Sequence, residues 1–123
     1  MAKRILLADD SPVIQTLSKK IFSGQGYHIK GIKSGTKVIE EIEKNDYDVI
    51  ILDIILPGAD GMQLAKQIRE LSDSKKANMP IIAISGNYKN YAKSDFDDVG
   101  INEYLIKPLD YDALVNAVKK YTS

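Results

Sequence analysis

The chain has 123 residues, 44% hydrophobic and 28% charged, the proportions of a soluble domain with one core. Lys plus Arg and Asp plus Glu each number 17, and the zero net charge speaks against broad binding to nucleic acid or another polyanion. Cysteine is absent, which excludes disulfides and thiolate metal sites, and no apolar run nears the roughly 20 residues that cross a bilayer.

Arg4 to Ala8 (RILLA) is a short continuous apolar run, the mark of a strand covered on both faces. Acids at Asp9 and Asp10 follow before any signal-peptide core can form, so a cytoplasmic chain without membrane insertion is expected. Ser11-Pro12 supplies a cap and a first-turn proline. Val13, Ile14, Leu17, Ile21 and Phe22 then recur at helical spacing, predicting the buried stripe of a helix that Gly24 and Gly26 stop. Tyr27 to Ile32 alternates with polar residues and is expected nearer a sheet edge. Ser34 can cap a second helix whose core stripe is Val38, Ile39 and Ile42.

Asp48 to Leu52 (DVIIL) is the most apolar strand. Pro57, Gly58 and Gly61 break the chain before a third helix, Met62 to Ser72, with Met62, Ala65, Ile68 and Leu71 as its inner face. Pro80 to Ser85 is a fourth strand and Glu103 to Lys107 a fifth. Between them Tyr88, Ala92, Phe96 and Val99 keep helical spacing in a segment of poor helix formers. Asp110 can cap a last helix, Tyr111 to Tyr121, buried through Leu114, Val115, Val118 and Tyr121.

Strand and helix thus alternate five times, which predicts a five-stranded parallel sheet with helices on both faces and right-handed crossovers. Ligands in such sheets sit beyond the carboxyl ends of the strands. The first strand ends in Asp9 and Asp10, the third in Asp53, the fourth in Ser85 and the fifth in Lys107, and the topology gathers all five on one rim. Three adjacent carboxylates repel, and an all-oxygen set of this kind suits Mg²⁺. Each residue also has a plain structural alternative. Asp9 and Asp10 can cap the first helix, Asp53 and Ser85 can be turn residues, and Lys107-Pro108 can simply end a strand. Four polar strand ends on one rim are poorly explained as separate accidents.

The motifs LLADDS, LDIILPGADG around Asp53, AISG around Ser85 and EYLIKP with Tyr104, Lys107 and Pro108 resemble those of response-regulator receiver domains. The match is closest in kind to single-domain, chemotaxis-regulator-like members and covers residues 1–123 as one domain. The resemblance implies a flavodoxin-like fold with strand order 2-1-3-4-5. It implies that Asp53 accepts a phosphoryl group from a sensor histidine kinase or phosphotransfer protein. Asp10, Asp53 and the backbone carbonyl of Ile55 would ligate Mg²⁺, with Asp9 acting through a bound water. Ser85 would bind a phosphoryl oxygen with Gly86 leaving room beside it, and Lys107, after a cis peptide to Pro108, would pair with the charge. Tyr104 would turn inward as the switch, read out on the fourth helix, fifth strand and fifth helix by a downstream effector protein. Without the resemblance, Tyr104 reads as a half-buried strand aromatic.

Two positions depart from the common pattern. Ile55, two residues after Asp53, has no side-chain group to orient a hydrolytic water, and Asn87, two after Ser85, is polar but not acidic. Slow self-dephosphorylation is therefore expected. A Mg-dependent phosphatase of the haloacid-dehalogenase type is the enzymatic rival, but it would carry an acid where this chain has Ile55, and no P-loop or GxGxxG pattern is present. The second rival is a receiver-like docking or dimerisation module, for which three clustered acids have no use. His28, the only histidine, is expected on the surface near a sheet edge and not as a phosphate donor. With no DNA-binding segment after the last helix, output by protein contact is expected, from a monomer or an activation-dependent homodimer.

Overall fold

A computed structural model of the chain describes residues 2–86 and 92–123. Five strands, β1 (Arg4–Ala8), β2 (His28–Ile32), β3 (Val49–Asp53), β4 (Ile81–Ser85) and β5 (Glu103–Ile106), pair in parallel in the order β2-β1-β3-β4-β5. The helices are α1 (Pro12–Gly24), α2 (Val38–Lys44), α3 (Gly61–Arg69), α4 (Lys93–Asp98) and α5 (Tyr111–Thr122). Four of the five residues of β1 and every residue of β3 and β4 are buried, because helices cover both faces. The period-2 pleat sorts each strand's side chains between two cores. Leu6, Ile50, Leu52 and Ile81 meet α2 and α3, together with Phe96 of α4. Ile5, Leu7, Ile51 and Ile84 meet Phe22 of α1 and Leu114 and Val118 of α5. Each such aliphatic side chain contributes roughly 1.5–3 kcal/mol when removed from water. β2, the polar alternating strand, lies at an edge as its pattern requires, and His28 is exposed there.

Several elements differ from the sequence expectation. The predicted apolar stripe of α1 holds in part: Phe22 is buried and Ile14 packs on the core, but Val13 is 64% and Leu17 40% exposed, and Gln15 and Ser18 are buried in their place. The reason is that Gln15 finds backbone carbonyls beneath the helix, so its amide is satisfied where an amphipathic reading places only carbon. Ile55–Leu56 and Ala59–Asp60 pair as a small antiparallel hairpin turning at Pro57-Gly58, where Gly58 takes φ +83. α3 is shorter than expected. It stops at Arg69 because Asp73 starts a separate turn, Ser74–Ala77, by accepting hydrogen bonds from the Lys75 and Lys76 amides. The predicted helix across Tyr88 to Val99 is present as α4 from Lys93, its first turn held by the Ala92 N–H donating to Asp95 at 2.8 Å. Asn87 and Tyr88 lie outside the described residues.

Candidate functional site

Parallel pairing places Asp53 of β3 opposite Ile84, and Ser85 of β4 opposite Ile106, so Lys107 leaves the sheet on the same rim. The Lys107 amide donates to the Ser85 carbonyl at 2.9 Å, and the Lys107-Pro108 bond is cis. The lysine side chain folds back over the rim. Its Nζ donates to Asp53 Oδ2 at 2.9 Å and lies 3.2 Å from Asp9 Oδ2. The second contact is electrostatic, since Asp9 Oδ2 is buried without a hydrogen bond. Asp9 Oδ1 accepts the Ser11 N–H at 2.7 Å, and Asp53 Oδ1 accepts the Ile55 N–H at 3.0 Å. Asp10 is exposed beside them, and one oxygen from each of Asp9, Asp10 and Asp53 falls within 4.8 Å of the others.

Burial pushes the Asp53 carboxyl above its ordinary value of 3.8, against the downward pull of the Lys107 hydrogen bond, the Ile55 amide and the Lys107 charge. Burial opposes the charged form of Lys107 too, but its bond to Asp53 and the charges of Asp53 and Asp9 outweigh that and raise its pKa. Three carboxylates against one ammonium leave a formal charge of about −2, which a divalent cation would balance. The donors are all oxygen, and Asp9 Oδ2 is a buried acceptor lacking a hydrogen bond. These residues fit Mg²⁺.

The structural alternatives resolve unevenly. Ser11, not Asp9 or Asp10, caps α1, its Oγ accepting from the Ile14 N–H at 3.3 Å. Asp53 does close a local turn through the Ile55 amide, but its other oxygen faces Lys107. Ser85 is buried at the end of β4. Among the described residues, a Cβ on Gly86 would meet the Lys107 side chain at 3.9 Å, an ordinary contact. Ile55 is 61% exposed. Tyr104 is half-buried, its ring stacked on Phe96 at 4.7 Å and 17°, away from the acids in the core beneath α4.

One residue next to the site was not legible in the sequence. Gln15 is buried in α1, and its Nε2 donates to the carbonyls of Asp9 at 2.9 Å, Ile32 at 3.2 Å and Leu7 at 3.3 Å. The Gln15, Ser18, Phe22 spacing is helical, but two of the three are polar and read as a solvent face.

Fold and site define a class: a doubly wound parallel α/β domain whose acids and lysine meet beyond the strand ends, suited to a divalent cation and an anion. The chain belongs to the response regulator receiver domain family, whose model matches residues 5–119. This family is a phospho-acceptor signalling module of two-component systems and not a metabolic enzyme. Over 94% of its length the chain is 30% identical to the CAI-1 autoinducer sensor kinase/phosphatase CqsS of Vibrio cholerae serotype O1. Over 98% it is 25% identical to the sensor protein GacS of Pseudomonas syringae pv. syringae. It spans only 17% and 14% of those two proteins. The receiver domain of the sensor histidine kinase PA1611 from Pseudomonas aeruginosa PAO1, solved with magnesium in its active-site cleft, superposes with a TM-score of 0.87. It is 28% identical, covering 99% of this chain and 98% of that one. The response regulator TrrA of Thermotoga maritima, solved with Mg²⁺-BeF, gives a TM-score of 0.82 at 35% identity, covering 97% of this chain and 98% of that one. No helix among the described residues is long and apolar enough to cross a membrane.

Proposed function

We propose that residues 1–123 form one receiver domain in which Asp53 accepts a phosphoryl group from a phosphohistidine on a sensor histidine kinase or phosphotransfer protein. The observation that carries this reading is the position of Lys107 Nζ, 2.9 Å from Asp53 Oδ2 and 3.2 Å from Asp9 Oδ2. An Asp53 oxygen attacks phosphorus, the P–N bond breaks with its electron pair leaving on imidazole, and an acyl phosphate results. Asp10, Asp53 and the Ile55 carbonyl would hold Mg²⁺ with Asp9 behind them, and the bound ion offsets charge on the transferring group. Lys107 keeps the Asp53 carboxylate ionised despite its burial, then pairs with the new phosphoryl charge. Ser85 donates its hydroxyl to a phosphoryl oxygen.

That hydrogen bond draws Ser85 toward the phosphate and frees space into which Tyr104 turns, leaving its stack on Phe96. The α4-β5-α5 surface then changes for a downstream effector protein, in the cytoplasm and without contact to nucleic acid. Moving such a switch from 1:99 to 99:1 takes roughly 5.5 kcal/mol of differential interaction. Charge-assisted bonds from Ser85 and Lys107 supply energy of that order. Incubation with acetyl phosphate and Mg²⁺, followed by intact-mass spectrometry, tests the assignment. One added phosphoryl group is expected on the wild type and none on Asp53→Asn. Equal incorporation in both would remove Asp53 from its role, and none in either would leave a receiver-like docking module.

A further inference from the structure

We infer that Gln15 is a positioning residue of this site: its side-chain amide fixes the Asp9–Asp10 peptide and so sets where Asp10 faces Asp53. The inference rests on the Mg²⁺-dependent phospho-acceptor reading above. Asp9 is the first residue after β1, and three of its groups are tied down. Its N–H donates to the Ile32 carbonyl at 3.0 Å, and its Oδ1 accepts the Ser11 amide at 2.7 Å. Its carbonyl, the oxygen of the peptide that leads into Asp10, accepts from Gln15 Nε2 at 2.9 Å, the shortest of the three contacts that nitrogen makes. That contact holds the Asp9–Asp10 peptide plane, and a carboxylate oxygen of the exposed Asp10 arrives within 4.8 Å of those of the other two acids.

Burial of the amide is not explained by packing. On the same helix Val13 and Leu17 face solvent while Gln15 is 4% exposed. An aliphatic residue there would be buried at less cost, and Gln15 Oε1 has no hydrogen-bond partner. The nitrogen is what the position uses. A second observation comes from β2: a Cβ on Gly31 would lie 1.8 Å from Gln15 Oε1 and 2.7 Å from its Cδ. The edge strand is therefore cut away to the backbone where the amide lies. A neutral donor also suits the place. A Lys or Arg reaching the same carbonyls would bring a second cation beside Asp9 and weaken the attraction for Mg²⁺.

The test is calorimetric titration of the unphosphorylated protein with Mg²⁺, with melting temperatures measured alongside, for wild type, Gln15→Met, Gly31→Ala and the double variant Gln15→Ala/Gly31→Ala. Mg²⁺ binding is expected to weaken by about tenfold in all three, the usual loss when an outer support of a metal site is removed. In the double variant the two methyl groups occupy the vacated space, so its melting temperature recovers relative to Gly31→Ala while its Mg²⁺ affinity does not. In phosphorylation by acetyl phosphate, the Mg²⁺ concentration for half-maximal rate should rise by the same factor and by more than the maximal rate falls. Wild-type affinity in Gln15→Met, or affinity that returns together with stability in the double variant, overturns the inference and leaves the phospho-acceptor reading standing. A wild type that binds no Mg²⁺ overturns that reading itself.

Discussion

Asp53 is held in two opposed fields, and the balance has measurable consequences. Burial raises its pKa while Lys107 and the Ile55 amide pull it down, and burial wins. An acid that holds its proton more tightly folded than unfolded lowers stability above its folded pKa, and that loss is relieved as pH falls through it. At neutral pH without Mg²⁺, Asp53→Asn is therefore expected to melt higher than wild type by about 2–5 °C. Adding Mg²⁺ should raise the wild type and not the variant, since a ligand stabilises only the form that binds it. A variant that melts lower in EDTA would show that the Lys107 bond, not burial, dominates. Two residues along, Ile55 presents 61% of its surface to solvent at the mouth of the site and offers an approaching water only carbon. The acyl phosphate should consequently outlast one with a polar residue there. Ile55→Asn is expected to shorten its lifetime by about an order of magnitude or more, as a group that orients the attacking water is restored. Loss of radiolabelled phosphate from purified protein measures this, and equal decay rates would remove the argument.

Among the elements, the strands were legible and the helices only partly so. β1, β3 and β4 are runs of carbon bounded by polar ends, and a sequence shows that directly. Their charged termini were legible for the same reason, because Asp53 interrupts the longest apolar stretch in the chain. The start of α1 at Ser11-Pro12 and its end at Gly24 were legible, but its buried face was not fully so, since a buried glutamine satisfied by three carbonyls is indistinguishable in sequence from a solvated one. The Ile55–Asp60 hairpin was hidden because each strand is two residues long, below any detectable period. α2 shows a further device that composition conceals. Glu41 accepts from Tyr47 Oη and Asn45 Nδ2, each at 2.7 Å, and pairs with Lys30 at 3.2 Å, so the end of α2 is tied to β2 and to the approach to β3. The Tyr47 hydrogen bond leads the effects that hold its carboxyl below the ordinary 4.5. The unfolded chain then binds the proton more tightly, so this stabilisation is complete above about pH 4.5 and disappears as pH falls through the folded value. Glu41→Gln should lose about 1 kcal/mol near pH 7 and show a shallower acid limb, with the two proteins converging at low pH. Urea unfolding from about pH 7 to about pH 3 reads both. Parallel curves would mean that Glu41 does not titrate differently on folding.

At the scale of the molecule the two ends of the sheet carry different duties, and α3 runs between them. It starts at Gly61, beside Asp53, where a Cβ would lie 2.7 Å from the Asp53 carbonyl, and it ends at Arg69. There the guanidinium donates to the carbonyls of Gly100, Ala77 and Met79 and to Asn102 Oδ1, at 2.6 to 3.0 Å. Asn102 Oδ1 also accepts the Ile81 N–H at 2.8 Å, so one cation joins α3, the Ser74–Ala77 turn, the start of β4 and the chain entering β5. Gly100 takes φ +83 and leaves no room for a Cβ, which would lie 2.6 Å from Arg69 Nε. Where the site end gathers like charges that oppose folding, this end gathers acceptors around a donor that satisfies them all. Removing it orphans several half-buried carbonyls at once, which is expected to cost about 2–4 kcal/mol. The site lies at the other end of the strands from the carbonyls that Arg69 satisfies, so the two effects should separate. Arg69→Met is expected to lower the urea midpoint markedly and to keep the acetyl phosphate labelling rate within about twofold of wild type while folded. Lys107→Met instead is expected to abolish labelling and also to lower the midpoint, since it leaves the buried Asp9 and Asp53 carboxylates without their cation. If Arg69→Met lost labelling in step with Lys107→Met under conditions where both remain folded, the two ends would be mechanically coupled through α3, and the division of duties argued here would fail.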